Sequence, residues 1–208
     1  MKLKGPRRAL PQQPPPPPPP HNHHHRVALI SDFVYPRLGG VENHIWSLAQ
    51  ELLQLGHKVI VITHAYEGYK GVHHFRFPRR RDNQQDNGND SDYKDNSIDS
   101  KKDLQLKVYY CPILPMTDED ALPTFTATFP LLRWILIREQ IEIVHAHQAT
   151  STLANESVVY AGILGLAAVY TDHSLFSLHD LAGVILNRVL TTTLATVDAA
   201  ICVSRACR

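Results

Sequence analysis

From Arg26 onward, short runs of β-branched and apolar residues alternate with longer stretches of helical periodicity, and this rhythm leaves few folds open. Two parallel strands can be joined only by a crossover of a dozen or more residues, so regular alternation predicts a parallel sheet covered by helices. Strands are expected at 26–31, 58–63, 107–111, 142–146, 167–171 and 199–203, and helices at 41–55, 124–140, 150–164 and 181–196. The run Val59-Ile60-Val61-Ile62 lacks polar alternation, as a strand buried on both faces requires. Ile45, Leu48, Leu52 and Leu55 recur at helical spacing, and Gly56 and Gly165 stand where the first and third helices need a left-handed stop. The fold class that follows is α/β, with a Rossmann-like parallel sheet over 26–208.

Two segments fall outside this rhythm. Residues 1–25 contain Arg7, Arg8, an unbroken proline run from Pro14 to Pro20, and His21, His23, His24 and His25. Serial prolines favour an extended helix without internal hydrogen bonds, so a disordered leader is expected. Only Ala9 and Leu10 interrupt its basic and proline-rich sequence, which is unlike a secretory signal. Residues 82–103, crowded with Asp, Asn, Ser and Lys, cannot bury enough apolar area to offset their ordering entropy. A disordered surface insertion is expected there, either a plain solvated loop or a regulatory tether.

Composition narrows the function classes. Formal net charge is +1, which gives no global electrostatic reason to bind nucleic acid, and no nucleic-acid partner is expected. Cys111, Cys202 and Cys207 make neither an even set nor a metal-ligand spacing, which fits a reducing compartment. No segment offers the roughly 20 apolar residues of a membrane-spanning helix, so membrane contact is expected to be peripheral.

The first strand ends at Ser31-Asp32, and six further residues lead to Gly39-Gly40 and a helix. Glycines there let backbone amides approach a ligand, and the helix N-terminus favours phosphate oxygens. The spacing is not G-x-G-x-x-G, so a nicotinamide or flavin cofactor is not expected. A glycine pair after a strand also serves as an ordinary tight turn, and the spacing alone does not choose. Glu42 falls in the first helical turn, where the dipole alone accounts for it, and His44 either faces a cleft or lies on the surface.

His145 and His147 alternate along a strand and therefore share a face. A metal pair is conceivable, but no third ligand stands at a convincing spacing, so no bound metal is expected. His173 follows the strand at 167–171, at the carboxyl end where open α/β sheets bind ligands. Alternatively, Asp172 and Ser174 cap the next turn and His173 packs inertly. The stretch 124–140 carries Phe125, Phe129, Leu131, Leu132, Trp134, Ile135, Leu136 and Ile137, more than one stripe, with Arg133 and Arg138 beside them. With Arg76, Arg79, Arg80 and Arg81 it reads either as a face that docks on an anionic membrane or as a core helix with two exposed arginines.

Several strings together carry a resemblance. They are Ser31-Asp32-Phe33, Gly39-Gly40-Val41-Glu42-Asn43-His44-Ile45, Leu55-Gly56-His57-Lys58-Val59, Ile143-Val144-His145-Ala146-His147, Tyr170-Thr171-Asp172-His173-Ser174-Leu175-Phe176 and Ala200-Ile201-Cys202-Val203-Ser204. Over Arg26 to Ser204 the chain resembles the N-terminal half of glycosyltransferase family 4, in the branch of phosphatidylinositol N-acetylglucosaminyltransferase catalytic subunits. The resemblance implies the N-terminal domain of a GT-B fold, in which two Rossmann-like domains face a cleft and the C-terminal donor domain is absent here.

It further implies transfer of N-acetylglucosamine from UDP-GlcNAc to phosphatidylinositol, the first step of GPI-anchor synthesis, on the cytoplasmic face of the endoplasmic reticulum membrane. Retention of anomeric configuration, partner subunits in a membrane-bound complex and the absence of any cofactor or metal come with it. By the same resemblance Gly39 and Gly40 meet the donor diphosphate, Glu42, His44 and Asp172 belong to the substrate site, and His173 is the catalytic contact to the donor sugar. Ala154-Asn155-Glu156-Ser157 departs from the branch, which carries a histidine before the acidic residue. Without a donor domain the chain is expected to be inactive by itself. Another family 4 transferase with a lipid or soluble acceptor, and a non-catalytic module that binds phosphatidylinositol or partner subunits, stay open as alternatives.

Overall fold

The computed structural model describes residues 23–80, 103–113, 127–173, 188 and 190–203. Within them, seven strands form one sheet: β1 (Arg26–Ile30), β2 (Lys58–His64), β3 (Gly71–Phe77), β4 (Leu104–Cys111), β5 (Ile143–His147), β6 (Ala167–Asp172) and β7 (Ala199–Cys202). Their order is β3-β4-β2-β1-β5-β6-β7. Every neighbouring pair is parallel except β3 against β4. The expected α/β class, a largely parallel sheet carrying helices, is met.

Strand side chains alternate between faces, and the core divides accordingly. Val27 and Leu29 of β1, with Val59 and Val61 of β2, pack beneath α1 (Gly40–Gln54), whose Ile45, Ala49 and Leu53 are buried. Ala28, Ile30, Ile60 and Ile62 point the other way, into the layer formed by α2 (Phe129–Arg138) and α3 (Thr152–Leu164). Burial on both faces is why these strands read as unbroken apolar runs.

Helix ends follow local chemistry. The Ser151 side chain accepts the Ala154 N–H at the start of α3. Gly165 closes that helix at φ 70°, with the Leu166 N–H returning to the Ala161 carbonyl. Gly56 turns the chain after α1 at φ 89°.

Several boundaries depart from expectation. β3 has no counterpart among the expected strands, because it is an edge strand with Val72, His74 and Arg76 exposed and only one side partly covered. β4 begins at Leu104, ahead of the expected 107. α2 is shorter than 124–140, since Pro130 sits in its first turn and the chain leaves the helix through Glu139 and a left-handed Gln140 at φ 53°. Residues 124–126 lie outside the described residues, as do 1–22 and 81–102, which hold most of the expected leader and insertion. His25, assigned to that leader, is tied to the sheet: its N–H donates to His57 Nδ1 at 3.1 Å and its carbonyl accepts from Lys58 N at 2.9 Å. Of the helix expected at 181–196, residues 188 and 190–194 are helical. Among the described residues, no helix is long and apolar enough to cross a membrane.

Candidate functional site

From β1 the chain moves to β2 on one side, whereas β5 joins β1 on the other, so strand order reverses between β1 and β5. Beyond the carboxyl ends of two such strands the connections diverge and leave a crevice, the usual ligand position in open α/β sheets. Asp32 follows β1, His147 ends β5, and His173 follows β6.

Asp32 is fully buried and anchors the crevice floor. Its Oδ2 accepts from Ser151 Oγ at 3.1 Å and from Leu153 N at 3.3 Å, setting a carboxylate on the N-terminus of α3. Its N–H donates to Ser151 Oγ at 2.9 Å, and its carbonyl accepts from the Tyr66 hydroxyl at 2.5 Å. Oδ1 lies 3.9 Å from Nδ1 of the equally buried His64, and neither atom has a hydrogen-bond partner among the described residues.

Four histidines gather beside it. His145 and His147 stack at 4.2 Å between ring centroids, as their shared strand face requires. His145 Nε2 is engaged by Thr171 Oγ1 at 2.7 Å. His147 Nδ1 lies 3.3 Å from His173 Nε2, while His147 Nε2 is buried without a partner among the described residues. His44, exposed on the second turn of α1, brings its ring to 4.7 Å from His173 and 5.7 Å from His147. His147 thus gains two ring partners that no sequence spacing supplies, His44 from α1 and His173 from the end of β6.

Burial disfavours the cationic form of all four rings. Burial, and then the neighbouring His44 and His173, bring His145 down to about 4. Burial followed by His44 does the same to His173. His147 is held well below the ordinary histidine range by burial first and the other three rings second, and burial lowers His44. The group can hydrogen-bond or ligate, and its burial works against positive charge.

Gly39 and Gly40 head α1, one turn before His44. Gly39 is the N-cap in extended conformation and has no side-chain cap of its own. A Cβ built on Gly39 would collide with Glu42 Oε2, so the Glu42 carboxylate folds back over the helix N-terminus. A Cβ on Gly40 would meet nothing within 4 Å. Tyr35, Arg37, Leu38, Glu42, Asn43 and Trp46 line a cavity of about 180 Å³ beside this turn. A larger one of about 600 Å³ opens past β2 and β4 between Tyr66, Glu67, Lys70, Tyr110 and Ile113, within the range of small-molecule sites.

Of the residues singled out in the sequence, His44 and His173 are brought together, Gly39, Gly40 and Glu42 form the adjoining helix N-terminus, and Asp172 closes β6 opposite Cys202 in register. Asp32 stands in the quoted string Ser31-Asp32-Phe33 without a role read for it there, and His64 and Ser151 escape a reading by motif.

Residues 100–180 match the model of the PIGA family, described as GPI anchor biosynthesis. A Saccharomyces cerevisiae protein named phosphatidylinositol N-acetylglucosaminyltransferase GPI3 subunit is 42% identical over 88% of the chain and 34% of its own length. An Arabidopsis thaliana protein, likewise named as a subunit of phosphatidylinositol N-acetylglucosaminyltransferase, is 42% identical over 86% of the chain and 34% of its length. The Homo sapiens protein of that name is 37% identical over 86% and 31%. The chain is similar to these subunits over most of its own length. It spans about a third of the length of these curated relatives. The PIGA-matched segment contains β4, α2, β5, α3 and β6, and with them His145, His147, Asp172 and His173. A sucrose-phosphate synthase from Thermosynechococcus elongatus superposes with TM-score 0.40 at 14% identity, over 88% of this chain and 78% of that one. A likeness of that degree carries no weight, and the fold class rests on the sheet itself.

Proposed function

We propose that this chain is the acceptor-side, N-terminal domain of a GT-B glycosyltransferase that moves N-acetylglucosamine from UDP-GlcNAc to the inositol of phosphatidylinositol, the opening step of GPI-anchor synthesis. The observation that carries this reading is the 42% identity over 88% of the chain to a relative named for that transfer. Other subunits and the cytoplasmic face of the endoplasmic reticulum membrane belong to the same proposal.

The donor diphosphate sits against the α1 N-terminus at Gly39 and Gly40, where Gly40 leaves open space. Charge grows on the diphosphate as the bond to the sugar breaks, and fixed backbone amides stabilise it without reorganising. The histidines, disfavoured as cations, leave this task to the main chain. The Glu42 carboxylate occupies the same helix end, so an arriving diphosphate displaces it and frees it to accept hydrogen bonds from sugar or inositol hydroxyls. His173, steadied by His147, contacts the donor sugar as the catalytic residue, with His44 across from it and Asp172 alongside in sequence. Lys70 and Glu67 in the larger cavity suit the phosphate and hydroxyls of the acceptor head group.

The test is a chimaera in which residues 26–203 replace the matching segment of the yeast GPI3 subunit. Microsomes carrying it are expected to convert labelled UDP-GlcNAc into N-acetylglucosaminyl-phosphatidylinositol. A chimaera that accumulates and joins its partner subunits but forms no such lipid contradicts the proposal.

A further inference from the structure

His44, His147 and His173 come from three separate elements, yet a ligand-competent nitrogen from each lies within 4.8 Å of the other two. Zinc binds imidazole nitrogen at about 2.0–2.1 Å, so two nitrogens on a tetrahedral ion stand about 3.3 Å apart. The His147 Nδ1 to His173 Nε2 separation of 3.3 Å already has that value. His44 is the exposed member, and rotation of its ring closes the remaining spread. From the geometry we propose that these three histidines form a binding site for a transition-metal ion of the zinc class, with a fourth position open to the crevice.

The surroundings of the three rings support the site. His145 stacks under His147 and is locked by Thr171, which holds the His147 ring in place much as hydrogen-bonded neighbours orient the ligands of known metal sites. Three nitrogen donors without a carboxylate favour zinc, cobalt, nickel or copper over magnesium or calcium. Three protein ligands with one open position is the arrangement of exchangeable zinc sites, where water or a phosphate oxygen completes the shell. This inference stands on the histidine geometry, and a bound ion takes the His173 nitrogen in place of the sugar contact assigned to it above.

The experiment is a titration with Co²⁺ alone, followed by its visible absorption, on the chain carrying H21Q/H23Q/H24Q so that the leader histidines do not compete. A single Co²⁺ per chain with tetrahedral bands, displaced by Zn²⁺, is expected. Changing only a group that orients a ligand weakens metal sites by roughly 10–100-fold, so removing a direct ligand with H173Q or H44Q weakens binding roughly tenfold or more. Because His44 is exposed, H44Q leaves the fold intact and its circular dichroism unchanged. Absence of tetrahedral bands, or an affinity that neither H44Q nor H173Q changes, overturns the site.

Discussion

At the scale of single residues, Asp32 organises the crevice, because one carboxylate bonds the Ser151 hydroxyl and the Leu153 amide while its backbone holds Tyr66. Replacing it with alanine leaves these buried donors unsatisfied, so Asp32→Ala is expected to lower stability by about 2–4 kcal/mol. The urea midpoint checks this: it should fall with little change in slope, and an unaltered midpoint would show that the anchoring bonds contribute little. How much of the site is legible also divides residue by residue. Gly39-Gly40 and His173 can be picked out because a glycine pair at a helix start and a histidine after a strand have local meaning. The grouping of His44, His147 and His173 cannot be, because no spacing along the chain encodes the meeting of α1, β5 and the end of β6. By spacing His145 is the apparent partner of His147, and the structure assigns it to Thr171 instead.

Among the elements, α2 is tied to the sheet by an ion-paired carboxylate at its C-terminal end. Glu139 accepts from Lys107 and from Tyr109, each at 2.7 Å, and pairs with Lys58 at 2.9 Å. Burial alone would raise its pKa, but the hydrogen bonds from Lys107, Lys58 and Tyr109 outweigh that and hold it at about 2. A depressed carboxylate contributes stability above its unfolded value of about 4.5, and the contribution is lost as pH falls toward 2. Lys58 is half exposed and adds less than Lys107. Glu139→Gln is therefore expected to cost about 1–3 kcal/mol at pH 7 and to flatten the stability loss between about pH 4.5 and 2. Thermal melts of both proteins across that window check it, and parallel losses would refute it.

The outer side of the same helix bears Trp134 and Ile137, half exposed, with Arg138 stacked on Trp134 at 4.8 Å. The expected excess of apolar residues thus divides into a buried stripe of Leu132, Ile135 and Leu136 and a small exposed pair flanked by arginines, a pattern suited to an anionic membrane surface. Trp134→Ser should leave stability within about 0.5 kcal/mol yet reduce flotation with phosphatidylinositol vesicles severalfold. Equal flotation would remove the membrane role from this face. β3 escapes notice for the opposite reason: an edge strand with one wet side lacks the apolar run that marks β2.

For the molecule as a whole, topology is the most legible level. Alternating strand and helix signals leave a parallel sheet as the economical solution, and a reversal of strand order then creates a crevice regardless of which side chains line it. In the function proposed above, what the crevice does depends on bare main chain at the start of α1 receiving a diphosphate. Gly40 makes that claim separable from folding, since its Cβ position is open and valine is no worse than glycine in a helix. In the yeast chimaera described above, Gly40→Val should leave expression and melting temperature unchanged while abolishing N-acetylglucosamine transfer to phosphatidylinositol. Transfer at the rate of the unmodified chimaera would contradict the account.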